Sequence, residues 1–301
     1  MSQDRYAAII SRLYPGAELV TAEPLSGGVS ADVLRLDIAL PDGHSRSVVL
    51  RVHGTSHHGH PAELEYQLLA TLHSKGLPIP EPLLVDASGK LLAEPFLVIA
   101  LTEGGSEIPA SSQDVHINAM ADMLARIHHL DTSGLSALPA RLDPLPEVFD
   151  YLPSGVEWDA LTDHLHTLTG TTYTGPARLL HGDFWPGNLL WKDDAINAVL
   201  DWEDAALGDP LSDVACCQVE LRYKFGRSAM QRFLTSYEQH GHVDRQRLAL
   251  WQVYVAAAAQ RFMGDWGLEP SREAHMRREA LASVREAGAV LIRHEADGAS
   301  G

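Results

Sequence analysis

The chain has 301 residues, 45% hydrophobic and 21% charged, which is ordinary globular composition with enough length for one large domain or two lobes. Its formal net charge of −17 argues against nucleic acid or an anionic membrane as the main partner, because both would repel it. No apolar run approaches the roughly 18 residues of a membrane helix, and no signal-like segment opens the sequence. We therefore expect a soluble, cytoplasmic protein whose acidity serves solubility or attracts a cationic substrate.

The first hundred residues predict a local antiparallel meander. A short amphipathic helix is expected near residues 5–13, and a second helix begins near Pro61 and ends before Gly76, because leucines recur there at helical spacing. Turn residues separate the remaining apolar segments into strands. Strands are predicted at residues 18–28, 30–40, 47–52, 82–86 and 91–101.

A breaker segment at residues 102–106 precedes a change in pattern, from mainly strands to mainly helices. We therefore predict an α+β chain with two lobes, residues 1–103 and 104–301. The predicted helices of the second lobe cover residues 113–130, 159–168, 211–225, 229–240, 245–263 and 272–294, and short strands are predicted at 177–180, 189–191 and 198–200.

One loop carries the strongest chemical signal. Asp183 follows His181 by two residues and precedes Asn188 by five, and Asp201 ends a later apolar segment. Phosphoryl transfer needs a proton acceptor and hard oxygen ligands for magnesium, and this spacing supplies both. Asp183 is therefore the candidate catalytic base, and Asn188 and Asp201 are the candidate metal ligands.

This order of motifs resembles the aminoglycoside phosphotransferase and choline kinase branch of the protein-kinase-like superfamily. The resemblance covers nearly the whole chain and is strongest from His181 to Asp213. It implies a bilobal protein-kinase-like fold, with an N-terminal five-stranded antiparallel sheet plus helix that binds nucleotide, and a larger, mainly helical C-terminal lobe. It further implies an ATP-dependent small-molecule kinase with ATP and Mg²⁺ as cofactors. His181, Asp209 and Asp213 would then be structural residues that brace the loop.

The resemblance also assigns nucleotide contacts in the first lobe. Its phosphate-binding lysine is replaced here by Arg51, which would pair with Glu65, or failing that with Glu63. An arginine keeps the charge but differs in geometry, and an exposed arginine on an edge strand is the alternative. A glycine-containing turn would cover the phosphates, and the main chain of residues 100–102 would bind adenine. The nucleotide-binding residues are thus Ser26, Gly27, Gly28, Ser30, Arg51, Glu65, Ala100 and Thr102.

Two other groups of residues invite a chemical interpretation. Four histidines at positions 53, 57, 58 and 60 suggest zinc, but their spacing fits no closed site and a solvated loop is the better interpretation. The adjacent Cys216 and Cys217 are expected to pack in a helix rather than to form a disulfide framework.

The resemblance implies a small-molecule acceptor with a hydroxyl group, whose identity the sequence leaves open. Candidate acceptor contacts are Trp185, Glu203 and Asp204, and nearby carboxylates would suit an aminoglycoside or another amine-bearing sugar. Ketosamines, amino alcohols and sugars are alternatives, and ATP is not distinguished from GTP. A regulatory pseudokinase, motivated by Arg51, and a metal-dependent hydrolase are the rival functions. The sequence gives no oligomeric state.

Overall fold

A computed structural model describes residues 4–25, 32–54, 59–145 and 147–298. Its contacts divide the chain into two compact units, which are described separately below. The first unit contains Met1–Ser106 and Leu189–Asp204, and the second contains Glu107–Asn188 and Ala205–Gly301. The segment 189–204, which follows the predicted catalytic loop, is thus grouped with the N-terminal residues.

The first unit is built on a five-stranded antiparallel sheet in the order β1-β2-β3-β5-β4. The predicted N-terminal sheet and helix are therefore confirmed. Strand β5 begins five residues later than predicted, directly after Pro95, which lacks the N–H of a ladder residue. The elements are α1 (Asp4–Leu13), β1 (Glu18–Pro24), β2 (Asp32–Ala39), β3 (Ser45–Val52), α2 (Ala62–Ser74), β4 (Pro82–Asp86) and β5 (Phe96–Ala100).

Beyond residue 107 the chain is mainly helical, as predicted, with short strands between the helices. The elements are α3 (Gln113–His128), β6 (Ala140–Arg141), α4 (Val148–Tyr151), α5 (Val156–Thr167), β7 (Arg178–Leu180), β8 (Leu189–Lys192), β9 (Ala195–Val199), β10 (Ala206–Gly208), α6 (Leu211–Phe225), α7 (Arg227–Tyr237), α8 (Arg245–Phe262) and α9 (Pro270–Gly298). Of these, β8 and β9 form a hairpin in the first unit. Within the described residues, no helix combines the length and the apolar character needed to cross a membrane.

The two-residue period of β3 decides which side chains reach each face of the sheet. Val48, Leu50 and Val52 join one apolar cluster with Ile9 and Ile10 of α1, and all five are buried. Arg51 therefore lies on the opposite face, where α2 packs against β4 and β5. Because β3 is the central strand and the Arg51 side chain is only 12% exposed, the alternative of an exposed edge-strand arginine is wrong.

The β8–β9 hairpin joins the first unit through the segment that follows β5. Gly105 and Trp191 exchange two main-chain hydrogen bonds, of 2.9 and 3.2 Å. Gly104 has φ +142°, and a Cβ there would lie 2.8 Å from the carbonyl oxygen of Trp191. Only glycine permits this close approach, which fixes the hairpin that leads to Asp201.

The second unit is held by a core that four helices share. Trp158 and Leu161 from α5, Val219 from α6, Val253 from α8 and Val284 from α9 are all buried in one cluster. A small sheet, ordered β6-β10-β7, sits beside this core. Strand β10 pairs antiparallel with β7 and parallel with β6, so the end of β7, where the predicted catalytic loop begins, is anchored on one side by β10.

Candidate active site

The loop after β7 is fixed by a carboxylate at the start of α6. Asp213 accepts the main-chain N–H of His181 at 2.6 Å and that of Gly182 at 2.9 Å. Gly182 has φ +90°, a left-handed conformation that glycine adopts without steric cost. Arg141 of β6 donates to the Gly182 carbonyl at 3.2 Å. The main chain of the turn before Asp183 is therefore held by two side chains, the Asp213 carboxylate and the Arg141 guanidinium.

Asp213 is itself held by a buried chain of hydrogen bonds. Its Oδ2 lies 3.3 Å from Nε2 of His128 on α3, whose Nδ1 lies 2.7 Å from the hydroxyl of Tyr237. Burial favours the neutral acid, but the hydrogen bond and charge of His128, together with His181, outweigh it and lower the pKa of Asp213. Asp213 is therefore an anion in the native protein, and two neighbouring helices fix its position.

Asp183, the predicted base, is oriented by Asn188. The Asn188 side-chain amide donates to the Asp183 carboxylate at 3.0 Å and to its carbonyl oxygen at 2.8 Å. The N–H of Asp183 meets Nδ1 of His181 at 3.2 Å, so the buried imidazole accepts a hydrogen bond from the loop. Asn188 is 8% exposed. With its amide nitrogen turned to Asp183, its carboxamide oxygen is the atom left to bind a cation.

Asp209, predicted to be structural, connects the loop region to α8. It is fully buried, accepts from the indole of Trp251 at 2.7 Å and caps Leu211 N–H at 3.1 Å. Burial raises the pKa of Asp209, against these hydrogen bonds and the charge of Arg247 at 3.5 Å. The bracing role of Asp209 remains a prediction, and its contacts are those that such a role requires.

Trp185, a predicted acceptor contact, is half-buried and packs on its own loop. A Cβ at Gly187 would come within 2.2 Å of the Trp185 ring, so the indole covers the Gly187 main chain. The Trp185 carbonyl also accepts the N–H of Asn188 at 3.0 Å. Trp185 therefore shapes the turn that carries Asn188, while Phe184 is fully buried against the His181 ring.

Sequence reasoning missed a second carboxylate beside Asp183. The thiol of Cys216 lies 3.8 Å from Asp183 Oδ1, and Glu220 follows Cys216 by one turn of α6, on the same helix face. Glu220 is half-buried, and burial followed by the charge of Asp183 raises its pKa to about 8. The sequence signal that could have indicated Glu220 is an acidic residue within α6, a helix whose other residues are mostly buried. Cys216 and Cys217 are both free thiols.

In the first unit, Arg51 gathers three carboxylates. Its Nη2 lies 3.0 Å from Asp201 Oδ1 and 3.2 Å from Glu203 Oε2, and its Nε lies 3.5 Å from Glu65 Oε1. Burial works to lower the pKa of Arg51, but the charges of Glu65, Asp201 and Glu203 outweigh it and raise that pKa. Arg51 thus contacts Glu65, the expected partner on α2.

Glu65 and Glu203 are positioned by further contacts. Glu65 is almost fully buried and lies 3.1 Å from Nε2 of His53 at the end of β3. The main-chain carbonyl of Glu203 accepts the N–H of His60 at 3.1 Å. Glu203, predicted to contact the acceptor, is therefore held against Arg51, while the other candidate, Asp204, is exposed.

Asp201 has an unusual main-chain conformation. Its φ of +62° lies in the left-handed region, which is uncommon for residues other than glycine and occurs often at functional sites. Trp202, 1% exposed, anchors the next position and donates its indole N–H to the Val199 carbonyl at 3.2 Å. The end of β9 thus presents the Asp201 carboxylate from a fixed turn.

The remaining nucleotide contacts concern the main chain. Ala100 ends β5, and its N–H donates to the Glu81 carbonyl at 2.8 Å, so that group is already engaged. Adenine recognition would then fall to the Ala100 carbonyl and the main chain at half-buried Thr102. The predicted phosphate-covering residues Ser26, Gly27, Gly28 and Ser30 lie outside the described residues.

The two predicted metal ligands belong to different units, Asn188 to the second and Asp201 to the first. Asn188 has a carboxamide oxygen and Asp201 a carboxylate, and hard oxygen atoms are the ligands that Mg²⁺ prefers. Among the described residues, no group of three or more His, Cys, Asp or Glu side chains could hold a metal ion. Asn188 and Asp201 nevertheless each offer an oxygen atom of the kind that Mg²⁺ binds, and their role as metal ligands remains a prediction.

Comparisons with known proteins define the class. Over 97% of this chain, the fold matches a Ralstonia eutropha protein assigned to the aminoglycoside phosphotransferases, with a TM-score of 0.72, 15% identity and 98% of that chain covered. A thermostable mutant of aminoglycoside phosphotransferase APH(4)-Ia, in a ternary complex with AMP-PNP and hygromycin B, matches with a TM-score of 0.63 and 17% identity, over 94% of this chain and 98% of that one. The chain therefore has the protein-kinase-like fold of these phosphotransferases.

A model of the phosphotransferase enzyme family (APH) matches residues 21–251, and the chain belongs to that family. This result confirms the predicted family and the predicted enzyme class. Mouse acyl-CoA dehydrogenase family member 10 is 28% identical over an alignment of 179 residues. The match covers 52% of this chain and 16% of that protein. A homoserine kinase of Beijerinckia indica is 22% identical, over 66% of this chain and 68% of that enzyme. The chain thus spans far less than two thirds of the mouse relative.

Proposed function

We propose that the protein transfers the γ-phosphoryl group of ATP to a hydroxyl of a small molecule, with Mg²⁺ as cofactor. One observation carries this proposal: a single loop holds Asp183 through the Asn188 amide and leaves the Asn188 oxygen for a hard cation. A hydroxyl must lose its proton as it attacks phosphorus, and the transferred group carries negative charge. The second unit supplies the proton acceptor for this reaction.

The residues of the first unit supply the electrostatic part. Arg51 is a buried cation that Glu65 holds in position, and its guanidinium can donate to phosphate oxygens. Asn188 of the second unit and Asp201 of the first would each offer an oxygen ligand to Mg²⁺, which would neutralise phosphate charge. Asp183 would orient the acceptor hydroxyl and receive its proton at a carboxylate oxygen. Arg51 would stabilise the negative charge on the phosphates of the nucleotide.

The relatives support the cofactor and the kind of acceptor. APH(4)-Ia has been solved with AMP-PNP, an ATP analogue, and with hygromycin B, a small molecule. The Beijerinckia relative is a homoserine kinase, and homoserine carries both a hydroxyl and an ammonium group. We therefore propose ATP as the donor and a small polar molecule as the acceptor.

Glu220 narrows the proposed acceptor to molecules that carry a cationic group. Its carboxyl group shares the Cys216 face of α6, beside Asp183, where a bound ammonium would offset the repulsion between the two acids. Amino sugars, aminoglycosides, ketosamines and amino alcohols, including homoserine, satisfy this requirement. Neutral sugars do not.

A screen of ADP release tests the proposal. The wild-type protein would be incubated with ATP, Mg²⁺ and each of these acceptors, and mass spectrometry would verify a phosphorylated product. Asp183→Asn should lose nearly all turnover, and the exposed Asp204→Asn is the matched control that should keep it. Full activity of Asp183→Asn on an identified acceptor would refute the role of Asp183.

A nucleotide-binding regulator without turnover is the second candidate. The observation that favours it is Arg51 itself, which occupies the lysine position and pairs with both Asp201 and Glu203. Calorimetry would show Mg²⁺-dependent ATP binding in either case. Binding without product from any acceptor would favour the regulator.

A further inference from the structure

A groove lies in the helical unit, on α6, α7, α8 and α9. Its volume is about 500 Å³, within the range of small-molecule sites. Gln218 and Arg222 line it from α6. Two residues along a helix correspond to a rotation of about 200°, so these side chains point away from the helix face that carries Cys216 and Glu220. The groove is therefore distinct from the catalytic loop.

The groove is basic, in contrast to the rest of the chain. Five arginines line it, although the chain as a whole has a formal net charge of −17. Only three carboxylates, those of Glu238, Glu279 and Glu286, form ion pairs with them in the described structure. An excess of positive charge thus remains. The five residues are Arg222, Arg227, Arg245, Arg285 and Arg293.

The arginine geometry already holds two carboxylates. Arg222 binds Glu286 through two nitrogens, at 3.1 and 3.2 Å, and its Nε binds Glu279 at 2.7 Å. Arg227 contacts the same Glu286 carboxylate at 3.2 Å. The Arg222 side chain is only 6% exposed and is therefore fixed in the wall, while the Glu286 side chain, 38% exposed, reaches solvent. The wall is a preorganised environment for an anion.

Two further arginines carry charge that the internal pairs do not use. Arg285 and Arg293 project from α9, and both are exposed. The Arg285 guanidinium rests 4.9 Å from the centre of the Trp158 ring, which restricts its motion without neutralising it. Among the described side chains, no carboxylate forms an ion pair with Arg293. These two cations are the groups that an incoming anion would meet.

The groove is also apolar between its charges. Half-buried Met230 and Val290, which is 36% exposed, present apolar surface in it, while Val219, Leu234 and Leu248 line it as buried residues. A purely ionic ligand would leave this apolar surface uncovered, and a neutral ligand would leave the arginines unmatched. An anionic head and an apolar body on one molecule would satisfy both.

We propose that this groove binds an amphiphilic organic anion, a small molecule with a carboxylate or phosphate head and an apolar body, at a site separate from the catalytic loop. The charge excess, the buried Arg222 side chain in the wall and the apolar lining support one such ligand. An acidic segment of a partner protein would also match the charge, but a groove of this volume fits a small molecule better.

Calorimetric titration of the whole protein with decyl phosphate tests the proposal. We expect saturable one-to-one binding that weakens with added salt, and binding of decanol or inorganic phosphate that is at least about tenfold weaker. Arg285→Gln with Arg293→Gln should weaken decyl phosphate binding by about tenfold or more. The double variant Arg261→Gln with Arg278→Gln removes two exposed arginines outside the groove and should bind as the wild type does.

Several results would overturn the proposal. They are absence of saturable decyl phosphate binding, binding that the groove variant leaves unchanged, and equal binding of decanol. Saturable binding of poly-glutamate in place of decyl phosphate would also overturn it, in favour of an acidic polypeptide partner. Both double variants should fold, because all four arginines are exposed. Circular dichroism would verify that they do.

Discussion

Arg51 and Asp201 form an ion pair of 3.0 Å inside the first unit, although 150 residues separate them in the chain. Arg51 is 12% exposed and balances Glu65 and Glu203 as well. The arginine that replaces the expected lysine is therefore the counter-ion of a buried acidic cluster, whichever ligand the protein binds. Its removal would leave three carboxylates close together without compensation.

Arg51→Met should consequently lower the free energy of unfolding by about 3 kcal/mol, because breaking a buried pair leaves uncompensated charge. Arg51→Lys, which retains a charge, should recover part of this loss. Urea denaturation measures both values. Arg35→Met is the control, because Arg35 pairs with Asp37 of its own strand β2 but is 42% exposed. This substitution should lower the free energy of unfolding by less than about 1 kcal/mol. An equal loss in both variants would contradict the buried-cluster account.

Asn188→Leu should reduce turnover of the phosphorylated acceptor by about a hundredfold or more, because it removes the amide that orients Asp183 and the oxygen proposed to bind Mg²⁺. Steady-state kinetics on the acceptor identified by the screen would show a fall in kcat that exceeds any rise in the acceptor KM. Asn197→Leu removes a comparable amide on β9, one bonded to the Glu103 carbonyl at 2.7 Å, and serves as the control. Similar losses in the two variants would argue against the assigned role of Asn188.

Much of the fold was predictable from local pattern. The bounds of β4 and α6 agree with the prediction because apolar spacing and flanking prolines define them. The strands β6 and β10 were missed, since two or three residues are too few to show a period. They nevertheless position the predicted catalytic loop, through pairing that only the folded chain creates.

The candidate site divides in the same way. The spacing of Asp183 and Asn188 predicted their proximity, because five residues of one loop connect them. The His128–Asp213 contact joins residues 85 positions apart, and nothing in the sequence near either residue indicates the other. Glu220 was missed for a related reason: its significance comes from the carboxylate of Asp183, which lies outside its own helix.

Asp213→Asn should destabilise the protein by about 2 kcal/mol, because an amide oxygen replaces a carboxylate that accepts from two main-chain N–H groups and His128. The lowered native pKa of Asp213 gives the pH dependence its sign. Its stabilising contribution is present above the unfolded pKa, near 3.8, and disappears as the pH falls through the lower native value.

Urea denaturation of wild-type and Asp213→Asn proteins from pH 2 to 7 measures this contribution, and the stability difference should shrink only at the acid end. A difference that stayed constant down to the lowest pH would show that Asp213 does not carry its charge in the native state. Asp163→Asn, on the exposed side of α5, is the control and should leave stability unchanged at every pH.

Glu220→Gln should stabilise the ligand-free protein at pH 8 and above by on the order of 2 kcal/mol, because it removes a carboxylate that burial and Asp183 disfavour. The native pKa of about 8 lies above the unfolded value of 4.5, so wild-type stability should fall as the pH rises from 4.5 to 8. Glu220→Gln should lack this slope, and the exposed Glu94→Gln should retain it.

Glu220→Gln should also raise the KM for a cationic acceptor, because it removes the carboxylate that would compensate the acceptor's ammonium group. If the variant is more stable but its acceptor KM is unchanged, the charge repulsion between Glu220 and Asp183 is supported. The same result would exclude a role for Glu220 in acceptor recognition.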